Sequence, residues 1–239
     1  MTQMKYKIIA CGVVLDELKL SESSFTDVQE LDAGLHLSSG KLHQALQDAI
    51  DISRNHYSGI ILGFGLCAMA FMGIKARDCP IYIPRTDDCI GLFLGSQNSY
   101  DTLRKENPGT YYLSQSWIKR KITVFDDFQR LSGLYGEEQA RRMIKLVLRG
   151  YSRLVFIDSN TKASNDYRLY ARKMADSYGL EYKVVQGSCR FLEKLIHGPW
   201  DREFIKIEAG ATLNYQDFKK KPSGQGMSFY QSLSKPEDK

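Results

Sequence analysis

Three cysteines in the first half of the chain have types and spacing that could do chemistry. Cys11 follows the run Lys7-Ile-Ile-Ala, Cys67 follows Ile60-Ile-Leu-Gly-Phe-Gly-Leu, and Cys89 follows Ile81-Tyr-Ile-Pro-Arg-Thr-Asp-Asp. Each run reads as a strand, so each thiol comes just past a strand and at or near the start of a helix. Free N–H groups and the helix dipole at such a place favour the thiolate, the form that binds metal or attacks. Parallel strands of one sheet bring these positions out along one edge. Three thiolates can therefore converge on one centre and leave a coordination position open. Soft donors of this kind suit a 4Fe-4S cluster with one iron not bound by cysteine, and a three-cysteine zinc site is the alternative. Plain packing competes with both, because free cysteine is among the most buried residue types and no Cys-x-x-Cys pair is present. Cys79 falls on the amino side of its strand and reads as packing. Cys189, after Val184-Val-Gln-Gly-Ser188, ends a strand of the other half and joins the site only if the halves close over one cleft.

A second motif overlaps the first. Gly63-Phe-Gly65-Leu-Cys-Ala68 matches the glycine pattern of dinucleotide-binding turns, with Asp87 and Asp88 at the next strand's end where a ribose-binding acid would stand. Gly12, Gly63 and Gly65 are the candidate cofactor-binding glycines, although close packing of a strand–helix turn demands the same residue. Arg85 is placed to hold a small anionic substrate with two parallel hydrogen bonds, or to pair with a neighbouring aspartate. His36, in a predicted loop, and Asp88 are the candidates for moving protons. Tyr111 and Tyr112 alternate along a strand, which predicts that at most one lines any pocket. No Ser-His-Asp or Cys-His triad, Walker loop or His-Glu-x-x-His helix appears, so hydrolytic and kinase chemistry lack support.

The elements that must position these residues follow an alternating pattern of short β-branched runs and longer amphipathic ones. Strands are predicted at 7–11, 28–31, 60–63, 81–84, 109–113, 153–158, 182–185 and 204–207. Helices are predicted at 41–55, at 89–107 with a break near Gly95-Ser96, along one long stretch at 117–149, at 163–178 and at 189–196. The fold class is α/β, with open parallel sheets of Rossmann-like βα units in two lobes. The first lobe takes residues 1–116, a helical connection 117–150, the second lobe 151–215, and a flexible tail 216–239. In such sheets ligands sit at the carboxyl ends of the strands.

Composition narrows the classes further. The 239 residues carry a net charge of +5 and five cysteines. An odd cysteine count in a chain of this length is no disulfide framework, and Met-Thr-Gln-Met-Lys lacks the apolar run of a secretory signal, which together predict a cytoplasmic protein with reduced thiols. The uncharged apolar stretch from Ser58 to Ile74 is shorter than the roughly 20 apolar residues of a membrane span. The positive charges are scattered, with only Lys119-Arg-Lys121 and Lys219-Lys-Lys221 clustered, so nucleic acid is not expected as a partner.

The motifs Ile9-Ala-Cys11-Gly, Gly34-Leu-His36, Leu62-Gly-Phe-Gly-Leu-Cys67, Ile83-Pro-Arg-Thr-Asp-Asp-Cys89-Ile, Leu94-Gly-Ser96 and Asn107-Pro-Gly-Thr-Tyr-Tyr112 with Trp117 come in an order that resembles the domain-of-unknown-function family numbered 1638. The likeness runs from about residue 7 to 208 and is densest before Trp117. It implies that Cys11, Cys67 and Cys89 are the family's own cysteines, with His36, Arg85 and Asp88 beside them. It also implies an association with corrinoid-dependent methyl transfer in anaerobes. One position departs, since the family pattern has His before Asp-Cys where this chain has Asp87. The expected function is a metal- or cluster-binding protein, with Lewis-acid or sulfur-transfer chemistry at an open site. A non-catalytic accessory that binds a corrinoid or methyltransferase protein is the second expectation, and a nucleotide-binding protein the third.

Overall fold

Runs of β-branched and aliphatic residues with no polar alternation belong in sheets covered on both faces, and two such sheets organise the molecule. The computed structural model describes residues 5–19, 27–53, 56–161 and 164–219. The first sheet contains β1 (Tyr6–Cys11), β2 (Val28–Leu31), β3 (Gly59–Gly63), β4 (Ile81–Pro84) and β8 (Phe204–Ile207), in the order β2-β1-β3-β4-β8. Its first four strands are parallel, and β8 runs antiparallel to β4. The second sheet is wholly parallel, in the order β5 (Thr110–Ser114), β6 (Arg153–Asp158), β7 (Glu181–Gln186). The fold is therefore α/β with parallel sheets, as the alternating pattern predicts.

The sheets are not continuous in the chain. β5, inside the expected first lobe, belongs to the second sheet, and β8, inside the expected second lobe, closes the first. The predicted single stretch at 117–149 is three helices, α5 (Gln115–Lys119), α6 (Val124–Tyr135) and α7 (Glu137–Val147). Two local features cut it. Thr123 and Asp126 form a reciprocal capping box that starts α6, and Gly136 takes a φ of +81° between α6 and α7. Helix α1 (Gly12–Lys19) is an element that the run pattern does not predict. The other described helices are α2 (Ser39–Ile52), α3 (Cys89–Phe93), α4 (Gln97–Glu106), α8 (Ser164–Tyr178), α9 (Arg190–His197) and α10 (Tyr215–Lys219). The start of the expected tail thus falls in α10, and residues 220–239 lie outside the described residues, as do Asn55 and Ala163 at the ends of two expected helices. Among the described residues no helix is long and apolar enough to cross a membrane.

Alternation along β6 joins the two sheets. Its Val155 and Ile157 pack into the large apolar cluster with Ile9, Leu62, Ile83 and Phe191, while its Leu154 and Phe156 pack into a second cluster with Leu113, Ile144 and Met174. The carboxyl edges of the sheets also face each other. Glu17 of α1, only 4% exposed, accepts hydrogen bonds of 2.6 Å from the hydroxyls of Ser116, after β5, and Ser159, after β6. Ser188, after β7, donates its amide to the carbonyl of Phe93 at 2.8 Å. Ligand-bearing edges that usually look onto solvent are here turned toward one another.

Asp158 ends the central strand of the second sheet and is buried. Burial opposes its ionisation, but the Asn160 amide at 2.8 Å, the Ser164 hydroxyl and the Arg168 guanidinium outweigh that effect and hold the carboxyl below its ordinary value. A carboxyl depressed in this way stabilises the fold above its unfolded pKa of about 3.9, and the contribution is lost as pH falls through the lower folded value. Asp158→Asn is expected to cost about 2 kcal/mol at neutral pH, with the gap to the parent closing in acid. Urea unfolding of both chains across that pH range checks it, and equal stability at pH 7 would contradict the assignment.

Candidate functional site

Strands β1, β3 and β4 are neighbours in the first sheet, and the three cysteines leave its carboxyl edge from successive strands. Cys11 is the last residue of β1, and the amides of Val13 and Val14 in the first turn of α1 donate toward its sulfur. Cys67 opens a short 3-10 turn after β3, and Cys89 opens α3 after β4. Burial raises the pKa of all three thiols. For Cys67 the next contributions come from Asp88 and Cys11, and for Cys89 from Asp88, Cys67 and Cys11. The three sulfurs are thus close enough for a charge on one to oppose a charge on the next. Arg120 is the cation that Cys11 feels. It lies over Gly12, where an added Cβ would strike its guanidinium, and it pairs with Asp16 at 2.6 Å and Glu30 at 2.7 Å.

Backbone strain gathers at the middle thiol. Cys67 has a φ of +30° and Met69 a φ of +66°, a region that side chains other than glycine enter rarely and at a cost of order 1–3 kcal/mol, most often at functional sites. The strain is held by the neighbouring turn, since Leu66 donates its amide to Thr86 O at 2.8 Å and Cys67 donates to Asp87 O at 3.2 Å. Among the described residues, no three His, Cys, Asp or Glu side chains are gathered closely enough to grip a single metal ion as they stand.

The other candidates separate. Asp88 stays with the thiols. Its carboxylate caps α3 through the Ile90 amide at 2.8 Å and accepts from the Tyr100 hydroxyl at 2.9 Å, while burial raises its pKa to about 6. Asp87 turns away to Arg104 at 2.9 Å and to Gln97. His36 lies in a 3-10 turn (Ala33–Leu37), its ring 6.1 Å from that of Phe64, and burial lowers its pKa so that it is neutral at pH 7. Arg85 is engaged with main-chain carbonyls. Its guanidinium donates to the carbonyls of Asp217 at 2.8 Å and Phe218 at 3.2 Å in α10, and to Arg202 at 3.3 Å. Carbonyls distant in sequence thus take its Nε and one terminal nitrogen, in place of the expected pairing with Asp87 or Asp88. Cys79 is buried before β4, on the amino side of the sheet, and Cys189 is exposed with its thiol on Glu193 at 3.0 Å.

Gly63 and Gly65 have packing reasons of their own. A Cβ on Gly63 would press on Ala10, and one on Gly65 would collide with the main chain of Asp88. The close approach that these glycines allow is between turns of this chain. A cleft of about 250 Å³ opens beside Asp88, walled by Tyr100, Tyr111, Tyr112, Trp117 and Tyr151. Both Tyr111 and Tyr112 line it, against the expectation of one. β5 is an edge strand, so a cleft along its open side meets residues from both faces. Tyr100 and Tyr151 carry no sequence signal for this role beyond being aromatic.

A family model described as a protein of unknown function, DUF1638, matches residues 30–196. The span takes in His36, Cys67, Asp88, Cys89 and the cleft, and it begins after Cys11. No match was found among curated proteins or solved structures.

The contact between the turns after β3 and β4 can be tested directly. Gly65→Ala is expected to destabilise the fold by about 2 kcal/mol, because main chain on both sides must shift. Gly40→Ala, on the exposed face of α2 with nothing within 4 Å of the added carbon, is expected to be neutral or slightly stabilising. Thermal melts that rank the two variants together would contradict the packing account.

Proposed function

The chain belongs to the DUF1638 family of proteins of unknown function, and on that premise we propose that it binds a 4Fe-4S cluster through Cys11, Cys67 and Cys89. The supporting observation is the set of three thiols at the ends of adjacent strands, two buried and one half-buried, with Cys11 raising the pKa of Cys67, both raising that of Cys89, and main-chain amides directed at the sulfur of Cys11. Buried thiols with no ion pair are costly to ionise, and a bound cation compensates them. Soft thiolate donors suit either a cluster or one zinc, and among the described residues no three His, Cys, Asp or Glu side chains stand closely enough to hold a single ion. An iron without a cysteine ligand would supply a Lewis-acid position. Beside the thiols, the Asp88 carboxyl holds or releases a proton near pH 6.

Protein prepared and reconstituted without oxygen is expected to hold about four iron and four sulfide per chain. Serine in place of Cys11, Cys67 or Cys89 is expected to abolish or labilise the cluster, whereas Cys79→Ser and Cys189→Ser retain it. Colourless protein free of iron and sulfide overturns the reading, and one tightly held zinc per chain replaces it with the zinc site.

One observation favours the second reading, an accessory that docks on a corrinoid or methyltransferase protein. Leu134 and Tyr135 at the end of α6, and Leu146 and Val147 at the end of α7, are two neighbouring pairs each more than half exposed, and exposed apolar patches mark interaction surfaces. Capture of a corrinoid protein by the parent chain, lost in Leu134→Glu/Leu146→Glu, is the expected outcome. Equal capture by both chains would remove this surface from consideration.

A further inference from the structure

The cleft beside Asp88 has mainly aromatic walls, completed by Ile90, Thr110 and Ile122. Tyr100, Tyr111, Tyr112, Trp117 and Tyr151 surround it, and none of its lining residues is Lys, Arg or His. No guanidinium lines the cleft, but two border it: Arg104 pairs with Asp87 and Asp101 and stands 5.2 Å over the Tyr100 ring, and Arg153 donates to the Thr110 hydroxyl and the Leu103 carbonyl. The carboxylate of Asp88 accepts from the Ile90 amide and the Tyr100 hydroxyl, and Arg104 is the cation it feels. An aromatic ring carries negative potential on its faces. Among the lining residues Asp88 is the acid, and the rings add to its negative potential.

The rings also stand at angles that decide the shape of what fits. Tyr100 and Tyr112 meet edge to face at 85°, with centroids 5.4 Å apart, and Tyr111 and Tyr151 do so at 79° and 5.7 Å. Parallel plates would sandwich a flat ring. Perpendicular walls instead form corners, which suit a compact, rounded group. The volume, about 250 Å³, is below the roughly 300 Å³ at which sites for drug-sized ligands begin.

We propose that this cleft binds a small alkylated ammonium ion, with its methyl groups against the tyrosine and tryptophan rings and its charge toward Asp88. Cation–π attraction to several rings and one carboxylate selects such an ion. A small anion is repelled by the same groups. The proposal goes beyond the cluster reading and does not depend on it, although the two sites share a border at Asp88, next in sequence to Cys89. An ammonium ion in the cleft would lie one carboxylate away from the thiols.

Choline and its neutral carbon isostere, dimethylbutanol, separate charge from shape. Calorimetric titration of the purified chain at about pH 8 is expected to show choline binding at least about tenfold more tightly than the isostere. Trp117→Leu and Asp88→Asn are each expected to weaken choline binding by about tenfold or more. Tyr112→Phe, which keeps the ring face and removes only the hydroxyl, is expected to retain it, and parallel melting curves show that each variant is folded. Equal affinity for choline and the isostere, tighter binding of acetate, or no choline binding at millimolar concentration overturns the proposal. Repeating the titration with Cys67→Ser distinguishes the two readings, because choline binding is expected to survive the loss of the thiol.

Discussion

Parallel pairing constrains everything that follows. Strands that run the same way must be joined by crossovers, so every turn after a strand emerges at the same edge. Cys11, Cys67 and Cys89 share an edge for that reason alone, with no contribution from any attraction between them. The same rule acts on the second sheet, and its edge carries Ser116, Ser159 and Ser188. What distinguishes this chain is that the two edges face each other. The seam is held by polar contacts, above all the buried carboxylate of Glu17 between two hydroxyls. Hydrogen bonds to a charged group are each worth about 1.5–3 kcal/mol, and removing one partner leaves a buried charge unsatisfied. Such a seam is specific in register and does not slide as an apolar one can.

The geometry of this edge also explains why one short motif supports two readings. Gly63 and Gly65 lie where a nucleotide-binding turn would need them, and also where the turn after β3 must pass within contact of Ala10 and Asp88. A glycine records that something comes close, without recording whether it is a phosphate or another stretch of the same backbone. In this chain Gly63 meets the Cβ of Ala10 and Gly65 the main chain of Asp88.

Local pattern made the strands legible, often to within a residue. The runs at 81–84, 153–158 and 204–207 coincide with β4, β6 and β8, because burial on both faces leaves a continuous apolar signature. It also placed the cysteines, since glycine and proline mark where each strand stops. Pairing is a different matter. That β5 joins β6 and that β8 turns antiparallel beside β4 depends on partners far along the chain, which no run of ten residues encodes. The destination of Arg85 was illegible on the same grounds, its partners being carbonyls more than a hundred residues away. Helix α1 was legible only as a helix start near Cys11 and had no bounds, because it follows β1 with no polar break and Val13, Val14 and Leu15 read as continued apolar sequence. The aromatic cleft was half visible, in that Tyr111 and Tyr112 stood out, yet alternation put them on opposite faces. Only an open strand edge reconciles the two.

The antiparallel strand β8 gives the chain a schedule as well as a shape. While a nascent chain emerges from the ribosome, β1 to β4 come out first with the cysteines among them, and β4 presents an unpaired edge until residues 204–207 arrive. An open edge is a template for pairing with another chain, and synthesis at several residues per second leaves it open for many seconds. The cysteine-bearing sheet is thus begun first and finished last. Its thiols pass through the whole of translation before their sheet is closed, a window in which a reducing compartment, or a carrier that delivers metal during synthesis, has access that the folded protein denies.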